Sequence, residues 1–198
     1  MTRFPDDIEA ALAAAAPAGI ALKRDTDAKG VTVAWCTLAD RRDLLPAATV
    51  LKARGARLST ITAFQPKPPD VEEGAEPPPP PPAGVVIDGQ AYELAYHFDL
   101  DGDTLTLVVL LPHDAAEVDS LTPLFRNADW AEREFMEIYA IRVAGHPDPR
   151  RLFIDESVEP AVLERLIPFS TLVNAASTST LWEKIMTKKE EAKKGGAS

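Results

Sequence analysis

The sequence predicts one α+β domain, in which helices pack on a mostly antiparallel sheet, with a proline-rich loop insertion and an extended C-terminal tail. Three observations support this fold class. Patterns typical of helix, strand, helix and strand follow one another over the first 65 residues. A clear hairpin pattern follows the proline-rich segment. The chain of 198 residues, 45% of them hydrophobic, is long enough for one domain with a substantial core.

The first helix is predicted over residues 5–16, because Pro5 suits the first turn and an alanine run follows it. Pro17 and Gly19 end this helix. The segment VTVAWC, residues 31–36, alternates and is rich in β-branched side chains, which predicts a strand.

A second helix is predicted over residues 40–55, with Asp40 as its N-terminal cap and Gly55 at its end. Pro46 lies near its start and is tolerated best in a first turn. The alternation in RLSTITAF, residues 57–64, predicts the next strand.

The composition changes in residues 66–84, which hold nine of the 18 prolines. Six of these run without interruption from Pro77 to Pro82 and favour a polyproline II conformation. One interpretation is a ligand for a proline-recognising domain. The favoured interpretation is an extended surface loop, because the acidic residues around the prolines suit a solvated insertion.

Residues 91–112 contain two strand patterns joined by Asp-Gly, the dipeptide that favours tight hairpin turns. The acidic turn also imitates a calcium loop, which needs Gly at position 6 and Glu at position 12. Counting from Asp99, Gly102 stands at position 4 and Leu110 at position 12, so the hairpin is preferred. The second strand is apolar throughout residues 105–112, which predicts that both of its faces are covered.

Charge and ligand content argue against several classes of protein. The net charge of −10 argues against nucleic-acid binding, which needs a basic surface, and against docking on anionic lipid. Cys36 is the only cysteine, so it can form no internal disulfide and hold no iron–sulfur cluster alone, and it indicates a reducing compartment. None of His97, His113 and His146 has a second histidine or a cysteine three or four residues further on, so no zinc-site spacing is present.

The N-terminal apolar stretch is interrupted by Pro17 and Gly19 and falls short of the ~20 residues needed to cross a bilayer. Asp6, Asp7 and Glu9 stand where a signal peptide would carry positive charge. We therefore expect a cytoplasmic protein without a membrane span of its own.

A third helix is predicted over residues 128–140, with Asn127 as its cap. Its apolar stripe consists of Ala131, Phe135, Ile138 and Ile141. Charged residues lie around the rest of the helix, and Arg133 can pair with Asp129 and with Glu137 at a spacing of four. The simplest interpretation is a solvated face with weak ion pairs.

Two catalytic interpretations of this region remain open. Glu134 and Glu137 share a helix face, whereas Glu132 and Glu134 point in nearly opposite directions. No candidate nucleophile or metal ligand nearby completes such a site. His146, in a Gly-His-Pro turn, is either a proton carrier or a packed, hydrogen-bonded residue.

The same region resembles the signature of the thirty-kilodalton subunit family of NADH-quinone oxidoreductase, which is respiratory complex I. The matching positions over 21 residues are Glu132, Arg133, Glu134, Glu137, Ile138, Tyr139, His146, Arg150 and Leu152. The preceding segment SLTPLFRNADW, residues 120–130, also resembles the approach to this signature.

The resemblance implies a cofactor-free subunit of the hydrophilic arm, packed against the large catalytic or quinone-site subunit and next to iron–sulfur subunits. Iron–sulfur clusters, and a nickel–iron centre in the related membrane-bound hydrogenases, would then belong to those partners. The charged motif would be a subunit interface rather than a catalytic site. Its expected members are Glu132, Arg133, Glu134, Glu137, His146, Arg150 and Arg151. The expected location is the cytoplasmic face of the inner membrane, as a peripheral subunit.

Complex I members usually continue after this signature into a segment that resembles Trp-x-Gly-x-Pro-x-Arg-Lys-Asp-Tyr-Pro. This sequence contains no such segment after Leu152. This departure favours the energy-converting nickel–iron hydrogenases over an NADH-quinone oxidoreductase. A free-standing adaptor and a small acid–base enzyme remain as alternatives. The domain is expected to comprise residues 1–65 and 85–155, with residues 156–198 as an extension that ends in a disordered tail.

Overall fold

The computed structural model describes residues 4–65, 91–155 and 157. The predicted proline-rich loop of residues 66–84 and nearly all of the predicted C-terminal extension lie outside the described residues. The regular elements are α1 Ile8–Ala15, β1 Ile20–Thr26, β2 Thr32–Leu38, α2 Leu44–Ala53, β3 Arg57–Phe64, β4 Ala91–Leu100, β5 Asp103–Pro112, β6 Glu117–Asp119, α3 Ala128–Tyr139 and β7 Arg142–Ala144.

Five strands form one sheet in the order β1-β2-β5-β4-β3. Every neighbouring pair in this sheet is antiparallel except β2 and β5, which run parallel. The short strands β6 and β7 form a separate parallel pair. The predicted α+β class with a mostly antiparallel sheet is therefore confirmed.

Strand β1 was not predicted, because its sequence carries little hydrophobic alternation. Only Ile20 and Leu22 are half-buried, and the residues that follow them are charged or polar and exposed. The strand forms because a turn joins it to β2. In that turn Asp27 accepts hydrogen bonds from the backbone of Lys29 and Val31, at 2.8 and 2.9 Å.

The predicted second helix is divided into two parts. The Asp40 carboxylate accepts a hydrogen bond from the Arg42 N–H at 2.9 Å and caps a single 3-10 turn, Arg41–Asp43. α2 begins only at Leu44, which places Pro46 in its first turn, where the missing N–H has no partner to lose. Gly55, at a φ of 80°, ends the helix region in the left-handed conformation.

The predicted hairpin is confirmed. β4 and β5 are joined through Asp101 and Gly102, with φ angles of 57° and 100°, as a tight turn of this kind requires. β5 lies at the centre of the sheet, and residues 105–109 are buried on both faces. This burial confirms the covering predicted from the apolar run for that part of the strand.

Helices α1 and α2 pack together, and their apolar side chains share one core with alternate residues of the strands. Cys36 lies in this core without exposure, and burial, with a smaller effect of Glu9, raises the pKa of its thiol to about 11. Among the described residues no helix is long and apolar enough to cross a membrane.

The position of β5 makes a testable prediction about the core. We expect Leu107→Ala to lower the free energy of unfolding by about 2–5 kcal/mol, because Leu107 is fully buried at the centre of the sheet. Leu110→Ala, on the same strand at a half-buried position, is the matched control and should cost less than half as much. Urea unfolding followed by circular dichroism measures both, and equal losses would contradict this account of the core.

Candidate functional site

The helix that carries the charged motif, α3, starts and ends close to its predicted bounds. Its predicted cap was wrong: Asn127 has helical backbone angles, and its side chain makes no hydrogen bond to the first turn of the helix. Instead its Nδ2 donates to the carbonyl of Leu58 on β3, at 2.6 Å. Asn127 thus ties the start of α3 to the sheet.

The predicted apolar stripe is only partly buried. Phe135 and Ile141 are each 1% exposed and belong to the core, and Ala131 is half-buried. Ile138 is 37% exposed, so this member of the stripe lies at the surface rather than in the core. It lies in the last turn of α3.

Glu132 contradicts the interpretation of α3 as a simple solvated face. Its side chain is completely buried. It accepts three hydrogen bonds, from the Ser120 hydroxyl at 2.6 Å, the Leu121 N–H at 2.6 Å and the Thr122 hydroxyl at 2.8 Å. The Ser120 oxygen in turn accepts from the Thr122 N–H at 3.1 Å. The helix is therefore locked to the chain that leaves β6.

The His146 ring lies beside the same carboxylate. Its side chain is fully buried, and its Nδ1 accepts a hydrogen bond from the Asp148 N–H at 3.0 Å. The neutral ring then carries its proton on Nε2, which lies 3.5 Å from both Asp129 Oδ1 and Glu132 Oε2. The structure matches the predicted packed histidine rather than an accessible proton carrier.

The parallel pairing of β6 and β7 explains how these residues meet. Ser120 follows β6, and its N–H donates to the carbonyl of Ala144 at the end of β7, at 2.9 Å. His146 lies two residues after Ala144. The Glu132 side chain reaches both Ser120 and His146 from the second turn of α3. Tyr96 lies deep in the sheet nearby, and burial, together with the charges of Glu132 and Asp119, holds its pKa well above the ordinary value.

Arg133 is also directed into the protein, with 13% of its side chain exposed. Its guanidinium donates to the carbonyls of Arg150 at 2.8 Å and Arg151 at 2.6 Å. The predicted pair with Asp129 is present at 3.9 Å. The predicted pair between Arg133 and Glu137 does not form. Both side chains bind the backbone of the segment after residue 149 instead.

Glu137 accepts hydrogen bonds from three consecutive N–H groups, those of Leu152, Phe153 and Ile154, at 2.7–2.9 Å. Burial alone would raise the pKa of Glu137, but these three donors, with help from Arg151, outweigh it and hold that pKa below its ordinary value. Arg133 and Glu137 together fix residues 150–154 against the helix; we call these residues the braced segment.

The remaining motif residues face outward. Glu134 is exposed, and Arg150, with 73% of its side chain exposed, forms a two-pronged pair with Asp148 at 2.6 and 2.7 Å. Arg151 is half-buried and donates to the Asp155 carbonyl at 3.1 Å. Trp130 of α3 and Phe153 of the braced segment are also exposed, at 68% and 57%. The motif thus has internal members and surface members.

The internal cluster is unsuited to turnover, because a substrate has no access to it. Ser120, Glu132 and the His146 side chain are each at most 4% exposed. Within the described ranges no group of three or more His, Cys, Asp or Glu side chains is arranged to hold a metal ion. Ser120 and Thr122 were missed as members of this cluster, although they lie in the segment that resembles the approach to the family signature.

The sequence pattern of the family described as "Respiratory-chain NADH dehydrogenase, 30 Kd subunit" matches residues 37–170, about two-thirds of the chain. The chain belongs to this family. The match includes the whole charged motif and confirms the resemblance inferred from it.

Individual relatives are similar over shorter stretches. An NADH-quinone oxidoreductase subunit of Rhizobium etli is 39% identical over 69 residues, 34% of this chain and 37% of the relative. An NADH-quinone oxidoreductase subunit of Methylorubrum extorquens is 35% identical over 83 residues, 41% of this chain and 38% of the relative. The chain thus spans under two-fifths of the length of each.

Among solved structures, a trypsin-resistant fragment of Nqo5 aligns with 71% of this chain and 98% of the fragment. The TM-score is 0.49 and the sequence identity 21%.

The first prediction from the site concerns the two glutamates on either side of Arg133. Glu132→Ala should lower the free energy of unfolding by about 3–5 kcal/mol, because it leaves three buried donors without an acceptor. Glu134→Ala, at an exposed position on the same helix, should change it by less than about 0.5 kcal/mol. Chemical denaturation of the purified variants distinguishes the two, and a small loss for both would disprove the internal role of Glu132.

The second prediction concerns pH. Because the pKa of Glu137 is lowered in the folded protein, its stabilising effect is present above the ordinary glutamate pKa of about 4.3 and is lost as pH falls through the lowered value. We expect the amide proton shifts of Leu152, Phe153 and Ile154 to change together in that acid range. In Glu137→Gln the shared transition should disappear. NMR titration provides the measurement, and separate midpoints for the three amides would argue against one common acceptor.

Proposed function

We propose that this chain is a cofactor-free docking subunit in the hydrophilic arm of a membrane-bound, multi-subunit oxidoreductase of the NADH–quinone type. One observation carries the proposal: the motif buries Glu132 and His146, while Arg133 and Glu137 bind the braced segment and thereby hold a fixed surface beside α3. Family membership supports the type of complex.

The surface beside α3 has the composition of a protein interface rather than of a solvated helix. Trp130 and Phe153 are large, apolar and mostly exposed. Arg150 and Glu134 of the same motif are exposed and charged. Tryptophan and arginine are enriched in the residues that dominate binding energy at interfaces. A partner that covers this surface would remove an exposed apolar area that is otherwise unfavourable.

Electron transfer is assigned to the partners of this chain. Its single cysteine, Cys36, is fully buried, and a thiol with a pKa of about 11 is a poor metal ligand at neutral pH. We therefore place iron–sulfur clusters in neighbouring subunits, with the large subunit as the principal contact. We also propose that the chain is peripheral to the membrane, on its cytoplasmic face.

A second candidate is the equivalent subunit of a membrane-bound nickel–iron hydrogenase. The observation that favours it is the sequence after Leu152, which lacks the segment that usually follows the signature in complex I members. In that case the nickel–iron centre would belong to the large partner.

The proposal predicts stoichiometric association with redox subunits. An affinity-tagged full-length chain, expressed in its own host, should be purified from detergent-solubilised membranes together with iron–sulfur proteins. NADH oxidation by the purified complex with a quinone acceptor supports the first candidate, whereas hydrogen oxidation or evolution supports the second. Recovery of the chain as a free monomer would refute the docking role.

A pair of substitutions locates the interface. Phe153→Ser should reduce the recovered partner subunits at least tenfold, because it removes an exposed apolar anchor from the braced segment. Val31→Ser is the control, since Val31 is also exposed, at 41%, but lies in the turn between β1 and β2. Equal recovery with both variants would show that the interface lies elsewhere.

A further inference from the structure

Strand β3 ends the five-stranded sheet, and within the described part of the chain no strand lies on its outer side. Natural proteins usually protect such an edge with charged residues, proline or a bulge. The other edge strand, β1, carries Lys23, Arg24 and Asp25 in succession. β3 begins with the exposed Arg57 and has a register irregularity between Leu58 and Thr60, but from Ile61 to Phe64 it carries no charge, no proline and no register shift.

The register identifies the backbone groups that point outward on β3. The Leu58 carbonyl accepts from Asn127, so it points away from β4. In an antiparallel ladder such outward-facing pairs alternate with hydrogen-bonded ones. The register shifts after Leu58, and Thr60 then pairs with His97 on β4. Phe98 is the partner of Leu58, and every second residue of β4 from there, Tyr96 and Leu94, pairs with Ile61 and Ala63. The N–H and C=O groups of Ile61 and Ala63 therefore face outward.

A groove of about 300 Å³ follows this edge and separates it from α3. Ile61 and Ala63 line one side, and Ala131, Glu134 and Ile138 line the other. Ile138, at 37% exposed, adds exposed apolar surface on the helix side of the groove. A free strand edge beside a helix offers both backbone partners and side-chain contacts to an extended peptide.

We infer that an extended segment of a partner subunit adds to β3 as a sixth strand and occupies this groove. The inference rests on the proposed docking function and names the form of one contact. The segment would present apolar side chains to the groove and a lysine or arginine to Glu134. Glu134 is exposed and makes no hydrogen bond or ion pair with the described residues, so its charge is available for such a contact.

A second copy of this chain fits the groove less well. Pairing β3 with β3 around a two-fold axis would bring the Glu134 side chains of both copies to the same interface, where like charges repel. The net charge of −10 on each copy adds to this repulsion. A partner segment with a basic residue is attracted by the same charges.

Two variants of the full-length tagged chain test the inference in the purified membrane complex. Ala63→Pro removes an outward N–H while the β3–β4 ladder keeps its hydrogen bonds, since proline is tolerated at such edge positions. Glu134→Arg reverses the charge of the groove wall. Each should reduce recovery of partner subunits at least tenfold. Glu9→Arg is the charge control, because Glu9 is exposed on α1, which packs beside β1 at the other edge of the sheet.

Photo-crosslinking identifies the occupant directly. A benzoylphenylalanine at Thr62, an exposed residue of the groove, should form a crosslink to one continuous segment of a partner subunit. If Ala63→Pro lowers the thermal midpoint of the chain strongly, Glu134→Arg and the crosslink decide the matter. Wild-type recovery for Glu134→Arg, or a crosslink between two copies of this chain, would overturn the inference. If the unaltered chain recovers no redox subunits, the proposed function fails, and the inference fails with it.

Discussion

Inside the protein, the carboxyl group of Glu132 receives hydrogen bonds from three donors in residues 120–122, and the imidazole Nε2 of His146 lies 3.5 Å from its Oε2. Burying a carboxyl group without partners is strongly unfavourable, so its position is determined by those donors. The donors can satisfy it only when α3, the end of β6 and the end of β7 are all in place. One side chain therefore makes three distant parts of the chain depend on one another.

The same principle extends along α3. Arg133, the next residue, and Glu137, just over one turn further on, bind carbonyls and N–H groups of the braced segment. That segment has no regular secondary structure to satisfy its own backbone. The side chains of Arg133 and Glu137 thus supply hydrogen-bond partners to the backbone of residues 150–154, as a neighbouring strand does in a sheet. The exposed positions of Arg150 and Phe153 follow from this arrangement. A surface that is fixed before binding loses less conformational entropy when a partner covers it.

The sequence predicted those parts of the fold in which local pattern and burial agree. The strand over residues 57–64 and the hairpin around Gly102 were predicted because alternation and turn chemistry are local signals. β1 escaped prediction because an exposed edge strand needs no apolar face. Ile138 was predicted as part of the apolar stripe of α3, but helical spacing alone cannot show which members of a stripe are buried.

The site was predicted as a sequence motif but not as a geometry. Charge density indicated a special region, yet nothing local distinguishes Glu132, fully buried, from Glu134, which is exposed on the surface two residues later. A helix rotates by about 100° per residue, so neighbouring charges in one motif point to different environments. Which of them lies inside depends on Ser120 and Thr122, which come from another element. A signature of mixed charges can thus encode two roles at once, with some residues building the interior support and others the exposed surface that rests on it.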